Sequence, residues 1–149
     1  MAKLPAHRVR RRPPLFAPVP LRSRRDGWTV ARQCQFLALL YATGSVAAAA
    51  RGVGMAREAP HRLRVRAGAE DFARAWDHVL SPPGSGHTPR AKFDYRKVTV
   101  AALIAQVEAG LVQPVIYRGA MTAIRRKPHN SALFRLLRRL DAREARGNG

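Results

Sequence analysis

From residue 27 onward, apolar positions recur in blocks that glycines separate. Thr29 is placed to cap a helix from Val30 to about Thr43, in which Phe36, Leu37, Leu40 and Tyr41 share one buried face. Gly44 stops it where a left-handed residue is wanted. Ser45 then caps a short helix, Val46 to about Gly52, and the alanines at 47–50 carry no bulk, so another helix can approach closely. Gly54 provides a turn, a third helix is predicted over about 57–66, and Gly68 ends it. A fourth, over about 69–80, buries Phe72, Trp76, Val79 and Leu80. Residues 81–90, SPPGSGHTPR, read as linker, extended here to 97. Beyond it Thr99 caps a helix over 100–109, closed by Gly110. Residues 111–126 then read as a hairpin, with Val115, Ile116 and Tyr117 on its first strand, a turn at Arg118, Gly119 and Ala120, and residues 121–124 returning. Pro128 bars further strand. Asn130 or Ser131 opens a final helix to about Leu140, with Leu133, Phe134, Leu136, Leu137 and Leu140 facing inward.

The pattern therefore predicts a mostly α chain: a helical unit over 28–80, a linker over 81–97, and a small α+β module (helix, β-hairpin, helix) over 98–142, followed by a tail at 143–149. A piece of about 45 residues struggles to build its own core, so the second module must pack on the first or self-associate. Residues 1–27 hold five of the eleven prolines and eight Lys/Arg. That density predicts a disordered, basic Pro/Arg-rich arm.

Composition adds a partner class. Lys and Arg number 28 against 9 Asp and Glu, a formal charge of +19 on 149 residues. With 24 arginines to 4 lysines and 26 alanines, part of the arginine reflects a GC-rich coding sequence, but a Lys-to-Arg bias leaves net charge unchanged. So much like charge self-repels and calls for a polyanion. No apolar run is long enough to span a bilayer, the longest being broken by Thr43, Gly44 and Ser45. The basic start leads to no apolar stretch of a secretory signal. The expectation is a cytoplasmic, nucleoid-associated protein with no membrane partner.

Helix, glycine stop, short helix, glycine turn and basic third helix make the grammar of a helix-turn-helix. A small residue, Ala50, lies four before the turn glycine, Gly54, where two helices cross; Ala49, Val53, Met55 and Leu63 supply the apolar flanks. Over about 45–65 the chain resembles a helix-turn-helix, with the preceding helix as the support of a homeodomain-like unit. From Gly27 to Asp77 it resembles small bacterial helix-turn-helix proteins and, less closely, the DNA-binding end of phage small-terminase subunits. The resemblance implies sequence-specific binding of duplex DNA, as in transcription regulation, with Ala56, Arg57, Glu58, His61, Arg62 and Val65 facing the groove. Arg57 and Arg62 have the forked donors that guanine accepts, and Arg64, Arg66 and Ser45 suit phosphates. Pro60 departs from the pattern, standing where a branched apolar residue is usual. Glu58 either favours the helix N-terminus or accepts from a cytosine amino group.

Nothing points to catalysis or a cofactor. The five histidines lack metal-ligand spacing, Cys34 reads as a core thiol, and no phosphate loop, nucleophile elbow or carboxylate cluster is present. The expected partners are DNA and a second copy through the C-terminal module, since one helix reads only a few base pairs. Rival readings are a small-terminase-like DNA-recognition subunit, a basic RNA- or ribosome-associated protein, and a structural interaction module.

Overall fold

A computed structural model describes residues 5–20, 27–86, 88 and 98–147. It is mostly helical, with one two-stranded antiparallel hairpin. The order is α1 (Ala6–Val9), α2 (Val30–Thr43), α3 (Val46–Gly52), α4 (Ala59–Arg64), α5 (Glu70–Leu80), α6 (Val100–Ala109), β1 (Leu111–Tyr117), β2 (Ala120–Lys127) and α7 (Asn130–Gly147). The caps stand where the sequence puts them. The hydroxyls of Thr29, Ser45 and Thr99 each accept from the backbone N–H three residues on, and Gly44 ends α2 at φ +69°.

The centre of the molecule is α2. It packs on α3, α5 and both strands of the hairpin, so more than the expected single face is buried: Gln33, Cys34 and Ala38 join Phe36, Leu37, Leu40 and Tyr41. An aromatic cluster ties it to α5, with Phe36 ring centroids 5.1 Å from Trp76 and 6.0 Å from Phe72, and Phe72 6.0 Å from Phe16. On α5, Leu80 is exposed rather than buried, and Ala75 takes its place in the stripe.

The N-terminal segment corrects the expectation of a disordered arm. Residues 1–4 and 21–26 lie outside the described residues, but Pro13, Phe16, Ala17, Pro18 and Val19 are buried. Phe16 and Val112 exchange backbone hydrogen bonds of 3.0 and 2.9 Å, which joins the segment to β1. Gln33 carries Val19 much as a strand would. Its Oε1 accepts from Val19 N–H at 2.8 Å, and its Nε2 donates to the carbonyls of Val19 and Trp28 at 3.1 Å each. The Asp71 carboxylate accepts from Ala17 N–H at 2.6 Å and Arg74 Nε at 2.8 Å. Proline fixes φ and removes donors, so a proline-rich stretch with apolar side chains lies extended in a groove without stranding N–H groups.

The hairpin also lies against α2, so the segment from 98 onward joins the first unit through its strands. Arg118 (φ +51°) and Gly119 (φ +82°) make the two-residue turn, the left-handed pair that suits strand twist. A bulge between Val115 and Ile116 shifts the register. The hairpin starts at Leu111 as expected and ends at Lys127, one residue past the expected Arg126, and α7 passes Leu140 to Gly147. On α7 the inward set is Ala132 and Leu136. Phe134, Leu137 and Leu140, expected inside, are exposed, because α6 covers only one side of the helix. The linker assigned to 81–97 falls largely outside the described residues.

Candidate nucleic-acid interface

Two helices and a tight turn hold the basic third helix against the core. Ala49 and Ala50 are fully buried where α3 meets α2, and Gly52 leaves room for the end of the Leu39 side chain, which a Cβ there would push aside. The Ala50 carbonyl accepts from Val53 N–H at 3.2 Å and Met55 N–H at 2.9 Å. The chain then reverses at Gly54, whose φ is +75°, a conformation that favours glycine. Val53 and Met55 are half-buried at the turn.

The third helix is shorter than its sequence suggests. It opens at Ala59, two residues after the expected Arg57, and ends at Arg64, not Arg66. Pro60 is the cause: as the second helical residue its missing N–H has no partner to lose. Arg57 and Glu58 form the turn before it, and Glu58 stands at the cap position without a side-chain cap bond. Pro60 and Leu63 are buried, so the proline serves as the apolar anchor that a branched residue would supply.

That anchoring turns the opposite face outward. Ala56, Arg57, Glu58, His61, Arg62, Val65 and Arg66 are all exposed, Val65 to 80%. Arg51 on the last turn of α3 is exposed as well; sequence reasoning passed over it, and its signal was a cation three residues before the turn glycine. The sequence-selected residues divide on closer view. The backbone N–H groups of Arg62 and Arg66 donate to the carbonyls of Glu58 and Leu63 at 3.1 Å each, but among the described residues the side chains of Arg57, Arg62 and Arg66 make no hydrogen bond or ion pair. Arg64 does: its Nη2 donates to both Asp77 carboxylate oxygens at 3.1 Å, and its guanidinium lies 4.7 Å from the Trp76 ring. The His61 ring leans on the same indole at 5.4 Å. Ser45 is half-buried, and its Oγ accepts from Ala48 N–H at 3.1 Å.

The rest of the described residues offer little reactive chemistry. Among the described residues no three of His, Cys, Asp and Glu gather to hold a metal ion. Burial pushes the Cys34 thiol up to about 12, against a smaller opposing pull from Arg126, so the group is protonated and shielded rather than nucleophilic. No helix among the described residues is long and apolar enough to cross a membrane. Compared with known proteins, the chain matches no family model, no curated protein and no solved structure.

Proposed function

We propose that the chain is a non-enzymatic, sequence-specific DNA-binding protein of the cytoplasm and nucleoid, a transcriptional regulator in which α3, its turn and α4 act as a helix-turn-helix. The observation that carries this reading is the division of α4. Pro60 and Leu63 fix one side to the core while Arg57, His61, Arg62, Val65 and Arg66 stand in solvent on the other. Arginine presents paired donors to guanine O6 and N7, and Val65 offers an apolar contact of the kind a thymine methyl accepts. Arg66, past the helix end, is set to hold the backbone. Arg64 is assigned a tether to α5 instead, given its pairing with Asp77.

The net charge of +19 supports the same reading through the nonspecific, salt-dependent attraction that any duplex exerts. One short helix reaches only a few base pairs, so paired copies on neighbouring half-sites raise affinity. Selection of bound duplexes from a random pool at fixed salt tests the reading. Enrichment of a short motif supports it, and recovery of an unenriched pool overturns sequence specificity.

A further inference from the structure

α6 and α7 pack chiefly on each other. Little lies between them: Leu103 from α6, Ala132 and Leu136 from α7 are the buried residues. Short helices owe most of their stability to packing of an apolar face, and here much of that face is open. Phe134 is 62% exposed, Leu137 47%, Leu140 42%, and Ile104 of α6 41%. Leu133, Leu137 and Leu140 recur at intervals of four and three, the spacing of a helix–helix seam, and Asn130 and Glu144 continue it one step at either end. Four of the five arginines of α7 lie away from it, and Arg143 flanks it just past Leu140. Arg135, Arg138, Arg139 and Arg146 line a cleft of about 270 Å³ with Leu103. Ile104, about 100° round α6 from Leu103, stands clear of that cleft. Glu144 stands on the seam itself, flanked by Asp141 on one side and Arg143 on the other, all toward its C-terminal end.

We propose that this face pairs with the same face of a second copy, the two α7 helices antiparallel about a twofold axis at Leu137. Two arguments select that occupant. The first is charge. A parallel pair sets Glu144 against Glu144 and Asp141 against Asp141. The antiparallel pair instead lays Glu144 beside Asn130 of the second copy, at the positive end of that helix's dipole, just after the exposed Arg126 and Lys127. It also lays Phe134 opposite Leu140. An anionic lipid surface, the other common partner of an amphipathic helix, would meet the two acids.

The second argument is area. Eighteen residues of α7 span about 27 Å. With the adjoining side of α6, a strip roughly 20 Å wide covers on the order of 550 Å² per copy, near the low end of specific dimers. The pairing is therefore reversible, and its four helices form a small antiparallel bundle. It supplies a surface for the paired copies of the DNA reading but stands on α6 and α7 alone.

The test uses the full chain without DNA. Sedimentation velocity from about 1 to about 100 µM is expected to show a monomer–dimer equilibrium in the micromolar range. Leu137→Asp, with unchanged helical circular dichroism, is expected to weaken it by more than about 30-fold. Should that variant unfold, cysteine substitution carries the test, because native Cys34 is fully buried. On oxidation Leu137→Cys is expected to give a covalent dimer, while Ser131→Cys, on the arginine side, is not. The pair Asn130→Cys with Glu144→Cys is expected to crosslink between copies, and Glu144→Cys alone is not. The proposal is overturned if the native chain stays monomeric throughout, or if Ser131→Cys crosslinks as readily as Leu137→Cys. It also falls if the face proves to be a lipid surface, with the chain sedimenting on phosphatidylglycerol vesicles in a Leu137-dependent way.

Discussion

Arg10 and Arg11 show how charge can mislead when it is read without packing. Arg10 Nε donates to the Tyr41 carbonyl at 2.6 Å, close to the end of α2, where a cation also meets the negative end of the dipole. Arg11 donates to the carbonyls of Pro82 and Gly86 and to Ser85 Oγ, at 3.1, 2.6 and 2.7 Å. These side chains fasten the N-terminal segment rather than extend toward a ligand. Gln33 is the other fastener. Gln33→Leu strands Val19 N–H and two carbonyls in the interior, and is expected to cost about 3 kcal/mol in urea unfolding. Its role was partly legible, because positions 33, 36, 37 and 40 form one helical stripe. Which backbone it would bind was not, since that segment is distant in sequence. Cys34 carries a pH dependence. Its folded thiol keeps its proton up to about 12, whereas the unfolded thiol ionises near 8.5 to 9. The folded state thus binds more protons in that window. Stability is unaffected by this group below about pH 8.5, then falls by about 1.4 kcal/mol per unit as pH rises toward 12. Urea unfolding at pH 8 and pH 10.5 should show a larger loss for the native chain than for Cys34→Ala.

Among the elements, ends were read more accurately than extents wherever a cap or glycine marks them. Thr29, Ser45, Thr99, Gly44 and Gly110 all terminate helices as expected. The third helix, expected over 57–66 between the turn at Gly54 and the stop at Gly68, opens later because Pro60 sets its start, and closes at Arg64. α7 outruns its expected end because the apolar stripe stops at Leu140, while residues 142–146 are good helix formers that no breaker interrupts. The turn between α3 and α4 yields a graded prediction. Ala50→Leu inserts bulk into a fully buried crossing and is expected to cost about 1–3 kcal/mol by overpacking. Gly54→Ala meets no atom within 4 Å, so only its backbone strain counts, about 1 kcal/mol, and Gly54→Asn should be milder. Thermal unfolding of the three variants checks that order.

For the whole molecule, the buried N-terminal segment joins what looked like two units. Phe16 touches β1 through its backbone and Phe72 through its ring. Removing residues 2–20 is therefore expected to abolish cooperative unfolding, as measured by calorimetry, and not merely to weaken salt dependence as loss of a free arm would. This connection was invisible in the sequence because proline density outweighed the few apolar side chains between the prolines. The helical unit and the hairpin, by contrast, followed from periodicity and turn residues. With Arg10 and Arg11 held internally, the exposed basic residues around α4 are Arg57, Arg62 and Arg66, and these carry the proposed contact. The central claim is that α4 reads bases, and the most direct measurement compares Arg62→Ala with Arg66→Ala on a selected duplex and on a scrambled one at the same salt. Loss of a base contact costs about 1–3 kcal/mol and relaxes one position, whereas loss of a phosphate contact weakens all sequences alike. Arg62→Ala should lower affinity for the selected duplex roughly 5- to 150-fold while sparing the scrambled one, and Arg66→Ala should lower both in proportion. If Arg62→Ala weakens the two duplexes equally, α4 does not read sequence and the claim is contradicted.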